Sequence, residues 1–315
     1  MQVARRVSSM IVTLFGVSII IFLILRLLPG NEVTASLGVS AGLLSRAQLA
    51  ALDRYYGIGQ PFYAQYGSWL GSVLTGNLGV SLASRTSVAS LVGAALPVTL
   101  ELAIAAMLIG EVIGVVFGVL GALRPAKLLD DVGQGISVFG LAVPTFVIGT
   151  GLVTFLASVF HYFPSSQGFV SITVNPWLNI QQIFFPALTL GLGIGAAVMR
   201  STRTAMLEVI GLNFARTARG KGLSRRTVVW KHLLLAALVP IVTMSGIQLG
   251  YLLGGTVVVE DIFVLPGLGR LLLTSIDNRD FAVVQSVTLI YAAGFVFVNM
   301  LVDLLYTWID PRTRA

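Results

Sequence analysis

Residues Ile180–Met199 have the sequence IQQIFFPALTLGLGIGAAVM, and Arg200–Lys231 after them have the sequence RSTRTAMLEVIGLNFARTARGKGLSRRTVVWK. The first stretch contains no Asp, Glu, Lys or Arg. As a helix it would extend about 30 Å, which matches the hydrocarbon core of a bilayer. The second stretch carries eight basic residues, which enter hydrocarbon only at a high cost in free energy. Together they predict a transmembrane helix that leads directly into a polar segment outside the membrane.

The composition of the whole chain agrees with a membrane protein. Of its 315 residues, 56% are hydrophobic and 10% are charged, and the mean hydropathy is +0.91. Soluble domains carry roughly 25% charged residues, so a soluble globular enzyme is excluded. The chain has no cysteine, which excludes disulfides, thiol catalysis, iron–sulfur clusters and cysteine-ligated zinc. We predict no metal site in this chain.

Five further stretches are long and apolar enough to cross a membrane: Val7–Leu25, Val98–Leu123, Val132–Phe160, His232–Val259 and Phe281–Val302. The first follows Arg5 and Arg6, as the apolar part of a signal peptide would. It is longer than a typical signal-peptide core, however, and no A-x-A cleavage site follows it. We therefore predict an all-α membrane protein with six transmembrane helices, the first of them retained.

The basic residues indicate the orientation of the chain in the lipid bilayer. Six spans place the N-terminus, Gly121–Asp131, Arg200–Lys231 and the C-terminal tail on one side, and these four segments hold 14 of the 20 basic residues. Since Lys and Arg accumulate in cytoplasmic loops, both termini are predicted to be cytoplasmic. Orientation thus explains the net charge of +7, and no nucleic-acid partner is predicted.

The segment Pro29–Pro97 is the one region with soluble character, and we predict that it forms a small external helical region. A helix is expected around Ser45–Tyr56, with turns at Gly57, Gly59–Gln60–Pro61 and Gly76–Asn77. Aromatic residues then recur at three- and four-residue spacing: Phe62, Tyr63, Tyr66 and Trp69. This spacing favours an amphipathic helix packed on the membrane domain, and a binding face is the alternative.

Three motifs match known active-site patterns without the required context. Gly38–Gly42 fits the G-x-S-x-G pattern around Ser40, but no strand–turn–helix surrounds it; with His161 predicted on the same side, a membrane serine hydrolase remains an alternative. Gly191–Ala196 matches the glycine pattern of a dinucleotide-binding loop, but it lies inside an uncharged span, where a cofactor phosphate could not be solvated. Gly220–Gly222 resembles the end of a phosphate-binding loop, but the first glycine of that loop is missing before it and no Ser or Thr follows the lysine. We therefore predict no catalytic residue and no ATP bound by this chain through that motif.

Glycines four residues apart form a ridge on each of two spans: Gly110, Gly114 and Gly118 in the second, and Gly246, Gly250 and Gly254 in the fifth. Such a ridge lets another helix backbone approach closely. Static helix packing and helices that slide during transport are both compatible with this pattern.

Glu111 lies near the middle of the second span, where an ionised carboxylate costs about 2.5–3.5 kcal/mol. It is a candidate residue of a substrate path, facing a polar cavity, and a hydrogen-bonded structural acid is the alternative. Glu101, near the outer end of that span, is expected to be a solvated charge at the helix terminus. An ion-coupled secondary transporter would need several paired charges within its spans, whereas Glu111 stands nearly alone.

The segment Arg200–Lys231 contains signals for a short helix outside the membrane. Asn213 is a candidate N-cap, Gly222 can end the helix in the left-handed conformation, and Ser224 can cap the next helix. These signals predict a helix Phe214–Lys221 of about two turns, which is too short to be stable alone. Its apolar content is Phe214, Ala215 and Ala218, which is too small for insertion into lipid. We expect it to dock on a protein partner.

At these residues the chain resembles the permease subunits of bacterial ABC importers, specifically the dipeptide/oligopeptide group. The segment Phe214–Ser224 (FARTARGKGLS) is similar to the cytoplasmic EAA loop of that group. Further similar segments cover nearly the whole chain: QPFYAQY at 60–66, GNLG at 76–79, PALTL at 186–190, RTAMLEV at 203–209, EDIFVLPGLGR at 260–270, NRD at 278–280, VDLLY at 302–306 and DP at 310–311. Arg216 stands at the position of the usual glutamate, Thr217 at that of the first alanine and Leu235 at that of the usual proline, departures that resemble the peptide-importer branch.

The resemblance implies the type I ABC importer permease fold in the bacterial cytoplasmic (inner) membrane. It implies that this chain forms half of the path for di- and oligopeptides, with nickel and glutathione as alternative cargo. The implied partners are a second similar permease, an extracytoplasmic solute-binding protein, and two ATPase subunits that bind ATP and Mg. The residues implied to couple this chain to an ATPase groove are Phe214, Ala215, Arg216, Thr217, Ala218, Arg219, Lys221 and Gly222.

The spans and the resemblance together predict four parts of the chain. Residues 1–28 form an N-terminal transmembrane helix and residues 29–97 an extracytoplasmic region. Residues 98–309 form a five-helix core that contains the coupling loop 200–231. Residues 310–315 form a cytoplasmic tail.

Overall fold

The structure is a computed structural model that describes residues 2–27, 45, 47–48, 51, 59–162 and 168–309. Most of the predicted helix Ser45–Tyr56 lies outside these residues, as do Gly57, Gly38–Gly42 and Asp310–Pro311. The start of that predicted helix is described. Ser45 and Gln48 exchange hydrogen bonds between backbone N–H and side-chain oxygen of 2.9 and 3.2 Å, the reciprocal pattern of a helix N-terminus.

The described residues are almost entirely helical. Their helices of eight or more residues are α1 (Gln2–Leu27), α2 (Phe62–Leu74), α3 (Val88–Leu123), α4 (Leu128–Ala142), α5 (Thr145–Phe160), α6 (Pro176–Ile210), α7 (Asn213–Gly220), α8 (Leu238–Ile262), α9 (Leu268–Asp277) and α10 (Phe281–Ile309). Between α7 and α8 lie a helical turn Arg225–Thr227, a π-helical stretch Val228–Leu233 and a second turn Leu234–Ala236.

Five of these helices, α1, α3, α6, α8 and α10, are long and apolar enough to cross a membrane. Helices α4 and α5 add a sixth span if they are counted together. With α4 and α5 as one bent span, the described helices confirm the prediction of an all-α membrane protein with six spans; the bend was not predicted. The spans differ in how much of each is buried within the chain. In the most apolar 18-residue stretch of α6, 72% is buried, against 17–33% of the corresponding stretches of α1, α3, α8 and α10.

The third predicted span, Val132–Phe160, is broken in two. Helix α4 ends at Ala142, and α5 begins after Pro144 at an angle of 103° to it. Proline lacks an N–H group and forces the preceding residue out of the helical region. Val143 accordingly has φ −88° and ψ 123°, an extended conformation. At 15 and 16 residues, each half is shorter than the about 20 residues that a membrane span needs.

Two helices extend further than the apolar runs predicted. Helix α3 begins at Val88, so Glu101 lies within the helix, and its prediction as a charge at the helix terminus is wrong. Helix α6 continues past Met199 to Ile210. Arg200 and Arg203 therefore extend from a continuous helix, which brings the membrane helix directly to the start of α7.

The chain divides into two compact units, Met1–Thr99 with Pro266–Phe297, and Leu100–Leu265 with Val298–Ala315. In the first unit, Val88, Val92, Leu268, Val283 and Val287 form a buried core. Helix α2 packs on α1 in the same unit: the ring of Tyr66 lies 5.3 Å from that of Phe22, and its hydroxyl lies 2.8 Å from that of Ser18. Of the aromatic series, Tyr66 and Trp69 pack on α1 as the spacing favoured, whereas Phe62 and Tyr63 are 56% and 79% exposed.

In the second unit, α3 and α6 pack through glycines on both helices. A Cβ added at Gly110, Gly114 or Gly118 would lie 2.5–2.6 Å from side-chain atoms of Ile194, Val198 or Thr202. On the opposite helix, a Cβ at Gly191 or Gly195 would lie 2.9–3.0 Å from Ile109 or Ile113. The glycines therefore let these two helices approach more closely than any larger residue would permit.

Candidate coupling site and substrate path

Helix α7 lies two residues after the end of α6, and it begins at Asn213. Its N-cap is Leu212, whose apolar side chain accepts no hydrogen bond, so the prediction of Asn213 as N-cap is wrong. Leu212 has the extended conformation of an N-cap, with φ −74° and ψ 154°. The carbonyl of Asn213 accepts a hydrogen bond of 3.1 Å from the hydroxyl of Thr217.

The end of α7 has the backbone conformation that the sequence predicted. Gly222 has φ +74°, in the left-handed region. The N–H of Lys221 donates to the carbonyl of Thr217 over 3.0 Å, and the N–H of Gly222 donates to that of Arg219 over 3.0 Å. The next helical turn begins at Ser224, whose hydroxyl accepts a hydrogen bond of 3.2 Å from the N–H of Thr227. The predicted roles of Gly222 in ending the helix and of Ser224 as a cap are confirmed.

Helix α7 has one buried face and one exposed face. Ala215 and Ala218 are 0% and 8% exposed, and α7 contacts the π-helical stretch Val228–Leu233. Alanine suits such a contact because its short side chain permits close approach. The outward face, in which we include Lys221 directly after α7, consists of side chains that remain exposed: Phe214, which is 40% exposed, Arg216, Thr217 and Lys221.

Arg219 differs from Arg216 in its contacts within the chain. It is also exposed, but its guanidinium donates a hydrogen bond of 3.3 Å to the carbonyl of Ile210. This carbonyl belongs to the last residue of α6, where helix carbonyls lack intrahelical partners. Arg219 therefore ties α7 back to α6, and the outward face combines an aromatic side chain with two cations, Arg216 and Lys221.

Sequence reasoning missed an ion pair close to this loop. Arg203 Nε and Nη2 donate to Asp130 Oδ1 and Oδ2 over 2.6 and 2.8 Å, which joins the start of α4 to α6. The side chain of Asp130 is 1% exposed and that of Arg203 is 25% exposed. Asp130 Oδ2 also accepts a hydrogen bond of 3.0 Å from the N–H of Ala126. The pair adjoins a cavity of about 370 Å³ that Gln134, Arg200 and Thr204 also line.

Glu111 lies on α3 and is partly buried. Ser245 of α8 lies near its carboxyl group, and the Ser245 hydroxyl donates to the carbonyl of Ile241 over 3.0 Å. Glu111 Oε1 is buried and has no hydrogen-bond partner within the part of the chain that the structure describes. A carboxylate oxygen in this state can accept a further hydrogen bond, which suits either a structural acid or a group that meets cargo.

The ridge on α8 is less continuous than the one on α3. Gly246 is buried against Val302, and Gly250 is partly buried. Gly254 has nothing within 4 Å of the position that a Cβ would take. Among the residues that the structure describes, close packing therefore involves Gly246 and does not extend to Gly254.

The described residues contain no cluster of three or more His, Cys, Asp or Glu side chains that could hold a metal ion. His161 ends α5 with φ +51°. Ser40, its proposed partner in a serine hydrolase, lies outside the described residues.

The helical architecture and the loop after α6 agree with a family of transport proteins. A model of the "binding-protein-dependent transport system inner membrane component" matches residues 114–315, and one of the N-terminal part of such components matches residues 1–103. The chain belongs to this family. The protein is thus a permease subunit of an ABC importer, as its resemblance predicted.

Relatives of this permease match over almost its entire length. A probable peptide ABC transporter permease protein of Sinorhizobium fredii is 37% identical over 99% of this chain and 98% of its own. The glutathione transport system permease protein GsiC of Escherichia coli is 36% identical over 99% and 98% of the two chains. Among solved structures, a chain of the MetNI methionine ABC transporter in an inward facing conformation superimposes with a TM-score of 0.55. It covers 70% of this permease and 96% of its own length at 18% identity, which confirms the type I importer permease fold.

Proposed function

We propose that this permease forms one half of the translocation path of an ABC importer for short peptides and that α7 couples it to the ATPase subunits. The observation that carries the second part is the division of α7 into two faces. Ala215 and Ala218 hold the helix on its own chain, while Phe214, Arg216 and Lys221 face outward. A helix of two turns fixed in this way presents a rigid, basic surface on which a partner can act.

The proposal for cargo rests on the relatives of the permease. One of those described above is named as a peptide permease, and the other as a glutathione permease. Glutathione is itself a small peptide with a free amine and free carboxylates. Import of glutathione is the second candidate function, because the identity to that relative, at 36%, almost equals the 37% to the peptide permease.

The proposed assembly contains a second similar permease, an extracytoplasmic solute-binding protein and two ATPase subunits, which bind ATP and Mg. This chain contributes no ATPase site in the proposal. In the proposal α7 and both termini are cytoplasmic, on the side of the ATPase subunits, and the accumulation of Lys and Arg in these segments supports that orientation. Acidic groups in the ATPase groove would attract Arg216 and Lys221.

Uptake by cells that lack this permease tests the cargo. We expect deletion of its gene to abolish uptake of radiolabelled di- and tripeptides and expression from a plasmid to restore it, with uptake of a free amino acid as the unaffected control. Loss of glutathione uptake with normal peptide uptake would select the second candidate. Normal uptake of both would contradict the proposed cargo and leave the family unchanged.

A charge reversal tests the coupling role of α7 separately. Arg216→Glu should reduce the amount of ATPase that co-purifies with the membrane-inserted permease, because it places an acidic group on the outward face. Arg200→Glu is the control: Arg200 is also exposed, but it belongs to α6. Equal co-purification of ATPase with the wild type and the Arg216 variant would contradict docking through this face.

A further inference from the structure

We propose that Asp130 and Arg203 are positioning residues that transmit movement of α7 to the bend between α4 and α5. The proposal rests on the coupling role of α7 proposed above. It concerns a different step, the passage of that movement from the loop into the membrane helices.

The first step is from α7 to Arg203. Only Gly211 and Leu212 separate α6 from α7, and Arg219 of α7 donates to the carbonyl of Ile210 in α6. Arg203 lies seven residues before Ile210 on the same unbroken helix, which is about 10 Å along its axis. A displacement of α7 therefore reaches Arg203 through one rigid helix.

The second step is from Arg203 to α4. Two parallel hydrogen bonds join the guanidinium to the carboxylate of Asp130, and a pair of this kind fixes the relative angle of the two groups as well as their distance. Gly121 makes room for the pair, because a Cβ there would lie 3.1 Å from Asp130 Oδ1. The start of α4 is thereby attached to the part of α6 nearest to α7.

Further along α4, closely spaced contacts keep it on α6. The hydroxyl of Ser137 donates to the carbonyl of Ala196 over 2.9 Å. A Cβ at Gly133 would lie 3.5 Å from Met199 Sδ, and one at Gly140 would lie 2.9 Å from Ala196 Cβ. Helix α4 thus stays in contact with α6 up to the last turn of α4.

The third step is the break that follows. Val143 is extended, and Pro144 has no N–H with which to continue the hydrogen bonding of α4. Helix α5 contacts α8 as well as α6, so a movement shared by α6 and α4 changes the angle at the break. The 103° bend is therefore the place where movement of α6 and α4 becomes a change in the shape of the third span.

The complete importer, reconstituted in lipid vesicles, provides the test. The bend is measured as a distance between spin labels on the exposed residues Leu128 of α4 and Val159 of α5, each replaced by cysteine in a chain that has no other. ATP should change this distance in the wild type. In Asp130→Asn the change should disappear, and the amount of ATP hydrolysed per molecule of cargo should rise at least severalfold.

Asp131→Asn is the matched control, since Asp131 is the exposed neighbour on the same turn, and it should behave as the wild type. Arg203→Lys keeps a cation opposite Asp130 but loses the paired geometry, so it serves as the variant if Asp130→Asn fails to insert. The reciprocal exchange Asp130→Arg with Arg203→Asp should recover part of the ATP-dependent distance change.

An unaltered distance change together with a normal ratio of ATP to cargo in Asp130→Asn or Arg203→Lys would overturn the proposal, as would a wild type in which ATP leaves the distance unchanged. Co-purification of ATPase should remain normal in both variants. A failure of the coupling role itself is recognised separately, because Arg216→Glu would then retain both the ATPase and the distance change.

Discussion

At the scale of single residues, Gly222 and Gly220 form a natural pair. Both are exposed, and at both positions an added Cβ would have nothing within 4 Å. They differ in backbone conformation, since Gly222 has φ +74° whereas Gly220 belongs to the helix. If the same substitution has different effects at the two positions, the difference is therefore caused by the left-handed conformation of Gly222 and not by a changed side-chain contact.

We expect Gly222→Ala to weaken coupling and Gly220→Ala to preserve it. The left-handed conformation costs a residue with a Cβ about 1–2 kcal/mol, whereas alanine within a helix is favoured over glycine by about 1 kcal/mol. Gly222→Val should be more severe, because a β-branched residue fits this conformation worst. The measurement is the ATPase that co-purifies with each variant and its cargo-stimulated hydrolysis; identical results for the two alanine variants would contradict the prediction.

Glu111 provides a second prediction at this scale. Glu111→Gln keeps the size of the side chain and its ability to accept a hydrogen bond, but removes the charge. If Oε1 meets the amine of cationic cargo, transport of that cargo should fall at least about tenfold, since a hydrogen bond to a charged group contributes about 1.5–3 kcal/mol. Transport of acidic cargo and assembly should change little. Glu101→Gln on the same helix is the control, and equal losses for all cargo would identify Glu111 as a structural acid.

At the scale of helices, the contact between α3 and α6 has no room for a larger side chain at the glycines of its ridge. A Cβ at Gly118 would lie 2.6 Å from Thr202 Cβ and 2.8 Å from the carbonyl oxygen of Met199, which cannot rotate away. Gly118→Ala should therefore destabilise the purified permease by about 1–3 kcal/mol. Gly254→Ala should be neutral or stabilising, because nothing lies within 4 Å of that position. Thermal unfolding of the two variants in detergent measures the difference, and equal melting temperatures would contradict it.

The helices also show how far the sequence alone defines this fold. Apolar runs of membrane length predicted the spans, because lipid imposes one length and one kind of secondary structure on every segment that crosses it. They did not predict the bend after α4, since prolines alone do not decide it: Pro97 and Pro186 lie within α3 and α6, whereas Pro144 stands at a break. Tertiary packing decides which proline ends a helix.

The candidate site was predictable to the extent that its signals are local. The left-handed Gly222 and the cap Ser224 depend on neighbours within a few residues, and both were predicted. The pair Asp130–Arg203 joins residues 73 positions apart, which no local pattern brings together. The N-terminus of α7 was misplaced by one residue, because Leu212 takes the position that Asn213 was expected to occupy.

At the scale of the whole molecule, the orientation can be tested directly because the chain has no native cysteine. Tyr63 in α2 and Lys221 after α7 are both exposed. We expect a membrane-impermeant maleimide to label Tyr63→Cys in intact spheroplasts and to label Lys221→Cys only after the membrane is opened. Labelling of Lys221→Cys from outside would reverse the proposed orientation.

Helices α1, α8 and α10 are much less buried within the chain than α6, and this affects how the importer is assembled in the cell. The apolar faces of these helices are mostly not covered by the rest of the chain. Lipid tails cover such faces as well as protein does, so the hydrophobic effect does not drive this permease toward the proposed second permease. Association then depends on helix packing, interhelical hydrogen bonds and lipid entropy, and we expect a newly made chain to remain in the bilayer without aggregating. The chain should therefore insert and persist when the proposed second permease is absent. The two permeases then need not be synthesised at the same time, and the amount of the second one sets the number of importers.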